Sequence, residues 1–181
     1  LGVVRLTHGD AGDEAGDAAG FLAAELAVLE VDVVDDLAHR LKGGSLPFSV
    51  EGFSVFVHGR GLSTAWAEAT VRVRVGESLQ HTAAESPFGP VSALDRAFRK
   101  AVLQFYPELS EVELTDYKVR ILSGQEAGTN SGVRVMVEMK RGEERFATVG
   151  ASENILEASL KALTDGYAYA LLYPVATPRG A

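Results

Sequence analysis

The 181-residue sequence has no cysteine, so neither a disulfide nor a thiolate metal site is open to it. It has no signal-peptide pattern and no apolar run long enough to span a bilayer, so the expected location is the cytoplasm. It has no Lys/Arg run of useful length. With 17 basic against 25 acidic residues the formal net charge is -8, which speaks against a general nucleic-acid or anionic-membrane surface. Its four histidines, His8, His39, His58 and His81, are never at His-x-His or His-x-x-x-His spacing, so no helix or strand offers a joint metal-ligating pair. A Gly-x-Ser-x-Gly elbow, a phosphate loop and a dinucleotide fingerprint are also missing; "HGRGLS" has two glycines but no following helix and reads as a hairpin turn. The carboxylates at Asp32, Asp35 and Asp36, and at Glu143 and Glu144, sit where solvation accounts for them. No catalytic constellation is left, so a binding or assembly module without metal or cofactor is expected.

What is present is a globular composition, 46% hydrophobic and 23% charged, at a length that suits one domain or a domain with an appendage. After a short apolar run from Leu1 to Leu6, "GDAGDEAGDAAG" cannot bury much and is predicted to be a mobile linker. In residues 21–42, Leu22, Leu26, Leu29, Val33, Leu37 and Leu41 recur at helical spacing, and "GGSLP" stops the helix.

From Phe48 the texture changes to alternation. "FSVEGFSVFVHG", "AWAEATVRVRVG" and "ESLQHTAA" are predicted strands; in the second, Val71, Val73 and Val75 share one face and Arg72 and Arg74 the other. "GPVSALDRAFRKAVLQF" is a predicted helix with Pro90 in its first turn and Val91, Leu94, Phe98 and Val102 as its apolar stripe. The order then repeats: strands "VELTDYKVRIL", "SGVRVMVEMK" and "ERFATVG", and helix "SENILEASLKALTDGYAYALL", for which Ser152 is a suitable N-cap. Ala93 and Ala97 of the first helix match Ala158 and Ala162 of the second, and small residues at i and i+4 let a helix lie close to its neighbour. The expected fold is α+β, two β-β-β-α repeats with sheet packed against helices. The expected organisation is an acidic segment plus helix at 1–47, a domain at 48–174 and a tail at 175–181.

Three stretches, "HTAAESPFGPVSALDRAFRKAV", "ELTDYKVRIL" and "TVGASENILEASLKAL", in this order and spacing, resemble the C-terminal regulatory domain of the isopropylmalate synthase and citramalate synthase family, most nearly its citramalate branch. The resemblance covers about Phe48 to Leu172. It implies a homodimer that binds the pathway's end product, isoleucine or leucine, and lowers the activity of a distant barrel holding a divalent metal and using acetyl-CoA. On that reading the chain is a piece of a larger acyltransferase, or a standalone relative, and is not catalytic alone. Residues 1–47 do not match the barrel and would be the tail of a connecting subdomain.

A branched-chain amino acid needs backbone N–H groups for its carboxylate, a carbonyl or carboxylate for its ammonium, and an apolar pocket. The resemblance points to the helix starts, Gly89, Pro90 and Ser92 in the first and Asn154 and Ile155 in the second. Asp116 would be an ion partner, Tyr117 a pocket wall, and Ile121, Val133 and Val135 the apolar lining. Relatives commonly read Gly-x-Gly-Pro where this chain has "ESPFGP", one residue longer and keeping only Gly89. Plain structural roles stay open: Gly89-Pro90 as an ordinary helix start, Tyr117 as a half-buried sheet residue, Asp116 as an exposed strand partner, Asn154 and Ile155 as first-turn packing. The alternative function is a purely structural homodimerisation module without ligand.

Overall fold

A computed structural model describes residues 2–6, 46–60, 64–121 and 132–173. The predicted linker, the helix over 21–42 and the tail at 175–181 lie outside them.

Alternating apolar residues build the first sheet as the sequence predicts. Strands β2 (Ser49–Arg60), β3 (Thr64–Val75) and β4 (Ser78–Ser86) form an antiparallel meander with β3 in the middle. Ala67, Ala69, Val71 and Val73 turn inward and are sealed from solvent, while Trp66 and Arg72 on the other face are exposed. Gly76, at φ 56, supplies the left-handed residue that the two-residue turn into β4 needs. Helix α1 (Pro90–Val102) then crosses the inner face, burying Ala93, Leu94, Ala97, Phe98, Ala101 and Val102.

The second unit repeats the plan with β5 (Val112–Ile121), β6 (Val133–Arg141), β7 (Glu144–Ser152) and α2 (Ile155–Leu172). Two features go beyond the sequence reading. Pro107–Glu111 form a 3-10 helix that leads into β5. The run Gly2–Leu6 forms β1, antiparallel to β7, so the second sheet has four strands in the order β1-β7-β6-β5.

The repeat holds at the level of single hydrogen bonds. Thr82 on β4 donates its hydroxyl to the Ala97 carbonyl at 2.6 Å, and Thr148 on β7 donates to the Ala162 carbonyl at 2.6 Å. In both units a threonine of the last strand grips the helix beside its second small alanine. Ala93, Ala97, Ala158 and Ala162 are all fully buried, which is the close approach their spacing predicts. Under α2 the approach is tightest: a Cβ at Gly150 would lie 2.0 Å from the Ala158 carbonyl oxygen and 2.8 Å from the Ala162 nitrogen.

The two units meet through their helices. Phe98 of α1 stacks on Tyr167 of α2 with ring centroids 5.4 Å apart, and Phe48 meets Phe98 edge-on at 5.1 Å. The buried Tyr167 hydroxyl donates to Asp95 at 2.5 Å and accepts from Arg99 at 3.1 Å; Arg99 also donates to the Val112 carbonyl at 2.7 Å. Burial pushes the Asp95 carboxyl above its ordinary range, against the opposing hydrogen bond from Tyr167 and the nearby Arg99 and Arg96. Burial likewise raises Tyr167, so its hydroxyl stays a donor. At the C-terminal end of the same helix, the buried Arg141 guanidinium donates to the Ala170 and Tyr173 carbonyls and pairs with Glu144 at 2.9 Å. That closes helix carbonyls which would otherwise lack donors.

Gly150→Ala is expected to lower stability by about 3 kcal/mol, because backbone atoms of α2 must move. Gly166→Ala should cost less than Gly150→Ala: its Cβ would press on the flexible end of the Met139 side chain and touch the Thr148 hydroxyl at 3.4 Å, side-chain atoms rather than strand or helix backbone, and alanine favours the helix. Thermal melts of the two variants compare them; equal losses would contradict the seam. Burial also pushes half-buried Asp165 up to about 7. A carboxyl raised on folding stabilises fully below its unfolded value near 4, and that stability is lost as pH rises through 7. Asp165→Asn should therefore gain up to about 4 kcal/mol over wild type at pH 8 and little at pH 4, read from chemical denaturation at each pH.

Candidate functional site

Both helix starts are shaped by a serine at the end of the preceding strand. Ser86 Oγ accepts from the Phe88 N–H at 3.1 Å, and Ser152 Oγ accepts from the Asn154 N–H at 3.1 Å. Beyond that they differ. At α1 the N-cap is Gly89, at φ 98, a position that asks for glycine; no side chain caps the helix, and Pro90 brings no N–H. Ser92 is turned to Ser86, Oγ to Oγ at 2.9 Å, and Phe88 stands in solvent with Arg96 6.0 Å from its ring centre.

At α2 the cap is Asn154 rather than Ser152. The Asn154 side chain accepts from Leu156 N–H at 2.9 Å and Glu157 N–H at 3.4 Å. Asn154 has the extended backbone of an N-cap, while Ser152 still belongs to β7 and bonds to Glu157 instead. The Lys161 ammonium and the Ser152 hydroxyl hold Glu157 below its ordinary range. Two of the donors that a ligand carboxylate would seek at this helix start, the Leu156 and Glu157 N–H groups, are thus already engaged, whereas those of α1 have no side-chain cap.

Tyr117 pairs with Val137 across β5 and β6, on the face that α2 covers, and its hydroxyl meets Ser159 Oγ at 2.7 Å. Ser159 donates onward to the Ile155 carbonyl, so the phenol pins the first turn of α2 to the sheet. Val119, Ile121, Val133 and Val135 lie on the same face by register. Val135 is wholly buried and is core, not lining for an entering ligand. Val133 is half-buried, Ile121 is 66% exposed, and Ile155 is exposed at the same end, near Ser152, which pairs with Val133.

Asp116 is the clearest correction. It neighbours Tyr117 on a strand and so points to the opposite face, beside Glu138. The Lys118 ammonium, 2.7 Å away, and the Tyr117 N–H hold its carboxyl below the ordinary range. Asp116 and Tyr117 therefore cannot serve one pocket within one chain. The structure brings Tyr117, Ile121, Val133, Asn154 and Ile155 to one end of the second unit. No hydrogen bond or ring contact among the described residues joins them to Gly89, Pro90 or Ser92. Ser159 was missing from the sequence reading; its signal was a polar residue four positions after Ile155 on the buried helix face. No group of three or more His, Asp or Glu among the described residues could hold a metal, and no described helix is long and apolar enough to cross a membrane.

Comparison with known proteins bears on this arrangement. Residues 32–171 match the LeuA allosteric (dimerisation) domain. An (R)-citramalate synthase of Geobacter sulfurreducens is 52% identical over 126 residues, 68% of this chain and 23% of that protein. One of Aquifex aeolicus is 51% identical over 106 residues, 59% of this chain and 20% of that protein. A 2-isopropylmalate synthase of Methanocaldococcus jannaschii is 26% identical over 134 residues, 74% of this chain and 23% of that protein. The chain thus spans about a fifth of the length of these relatives.

Tyr117→Phe should keep the fold and lose about 1 kcal/mol, one net hydrogen bond. Asn154→Ala should lose a similar amount through the cap. Denaturant titration measures both; a Tyr117→Phe variant as stable as wild type would mean the phenol does not pin α2.

Proposed function

Because the chain belongs to the LeuA allosteric (dimerisation) domain family of citramalate and isopropylmalate synthases, we propose that it is the feedback-sensing and dimerising part of an acetyl-CoA-dependent acyltransferase of branched-chain amino-acid biosynthesis in the cytoplasm. Its effector is isoleucine or leucine. The observation that carries this reading is the apolar end of the second unit, where Ile121, Val119 and Ile155 are exposed beside half-buried Val133 and Leu156. A branched aliphatic side chain is what such a surface gains from covering, by roughly 2 kcal/mol. Among the described strands β5 has no neighbour on its outer side, so its edge carbonyls are available to an ammonium group. They replace Asp116 in that role.

The chemistry of the parent enzyme, with its acetyl-CoA and divalent metal, belongs on this reading to a barrel outside this chain; the described residues do not fit a metal, and no step is assigned to them. Regulation works by population shift. The amino acid binds one arrangement of the dimer better, and its effect on the barrel is no larger than that difference in affinity. A second reading, a structural dimerisation module without effector, is favoured by one observation: Asn154 already occupies two N–H groups of the α2 start.

Calorimetric titration with isoleucine and then leucine, with the mass in solution measured alongside, separates the two. Saturable binding to a dimer, stronger for one amino acid, is expected. Ile121→Asp should weaken it at least about tenfold without loss of stability, since the side chain is exposed. A folded dimer that binds neither amino acid leaves the structural module.

A further inference from the structure

The outward face of the first sheet is laid out in mirrored rows. Cross-strand register puts Ser54, Thr70 and Ala83 side by side in one row, all small and uncharged. Two residues towards one end lie Phe56, Glu68 and Glu85; two residues towards the other lie Gly52, Arg72 and His81. A further step out, Trp66 stands at the acidic end, with His58 stacked on it at 4.1 Å, and Arg74 at the basic end. The face is open: Phe56 is 58% and Trp66 40% exposed, which is unusual for large rings on a sheet face that no other described element covers.

We propose that this face is where two copies of the chain associate, sheet on sheet, about a two-fold axis that crosses β3 at Thr70 at right angles to the strands. The inference rests on the dimer proposed above and specifies its surface. A two-fold interface must be complementary to itself, and this pattern is. Reversing the strand direction about Thr70 sets Glu68 against the partner's Arg72, and Glu85 against the partner's His81. Phe56 falls on the partner's Gly52. Arg72 lies across Gly52 in each chain, its guanidinium 3.1 Å from where a Cβ would be, so the ring meets a cation over a flat spot. Trp66 falls opposite the partner's Arg74, which Glu51 of its own chain holds at 2.6 Å, so this outer row adds less. The small central row allows the sheets to approach to the usual spacing of about 10 Å. Sheet twist carries the outer rows apart, so the inner pairs dominate.

The other two-fold arrangement, with the axis along the strands, would set Glu68 on the partner's Glu68 and is repulsive. The outward face of the second sheet is the rival surface. There the acids are already held within the chain, Asp116 by Lys118 and Glu138 by Arg145, and Lys118 stands in the row that the axis would cross. On the first sheet Glu68 and Glu85 have no side-chain hydrogen bond or ion pair with any described residue.

A charge exchange in the full chain tests the surface. Glu68→Arg and Arg72→Glu each place like charges opposite one another twice, and each should raise the dimer dissociation constant at least about a hundredfold in sedimentation equilibrium. Mixed together, the two variants should return to dimer mass, as one chain of each kind restores both pairs. Circular dichroism melts confirm that each variant folds, and Ser54→Arg, at an exposed position on the axis row, is a second disruption should either fail. Single variants that stay dimeric, or a mixture of folded variants that stays monomeric, overturn the proposal. If wild type dimerises and only Glu138→Arg disrupts it, the interface lies on the second sheet. If wild type is itself monomeric, the dimeric function proposed above fails and this surface with it.

Discussion

The hydroxyl of Tyr167 sits where three otherwise separate pieces of the chain converge. It donates a hydrogen bond to Asp95 on the helix of the first unit, accepts one from Arg99 a turn further on, and through Arg99 is tied to the Val112 carbonyl at the start of the second sheet. Each partner needs the others. Asp95 is buried enough that its charge would be costly without Tyr167 and Arg99, and Arg99 has its guanidinium 5.7 Å over the Tyr167 ring. Apolar contacts alone hold helices together but let them slide. A satisfied polar group inside them fixes one relative position, because any slip leaves a buried donor or acceptor bare.

Within each unit the corresponding constraint is the narrow gap between helix and sheet. Alanines on the helix and Gly150 on β7 bring backbones almost into contact, and the threonine bonds at Thr82 and Thr148 define where along the strand the helix sits. The start of α2 is therefore held from two directions, by Tyr117 through Ser159 and by the cap of Asn154. At α1 the corresponding turn carries the extra residue, the solvent-facing Phe88 and no side-chain cap, so the two units are alike in framework and unlike at their helix starts.

Much of this was legible in the sequence, and the reasons are local. Val71, Val73 and Val75 against Arg72 and Arg74 set the inner and outer faces of β3, and the alanine pairs announced the close helix packing. The β-β-β-α order repeats because each element is specified by its own few residues. What was not legible depends on partners far along the chain. Val3 pairs with Thr148, and nothing in "GVVRL" names its neighbour. Arg141 reads as an ordinary strand-end arginine until α2 brings its last carbonyls round to it. The choice of Asn154 over Ser152 as cap turns on where β7 releases the backbone. The opposite facing of Asp116 and Tyr117 is a different matter: strand alternation states it outright.

The reach of the Tyr167 contact also has a meaning in time. The first sheet and α1 are complete once Val102 has been made, but the partner that Asp95 and Phe98 await lies 72 positions beyond Asp95. At ribosomal speeds of about 5–20 residues per second, that interval is roughly 4–14 seconds. Through it the nascent first unit shows the open side of α1, with the Phe98 ring uncovered and the Asp95 carboxylate hydrated and charged. Arrival of Tyr167 covers the ring and gives the carboxylate a proton donor in place of water. The second half of the chain thus closes over a finished first half, and the interval between them is when the young polypeptide is most open to chaperones and to its neighbours on the same message.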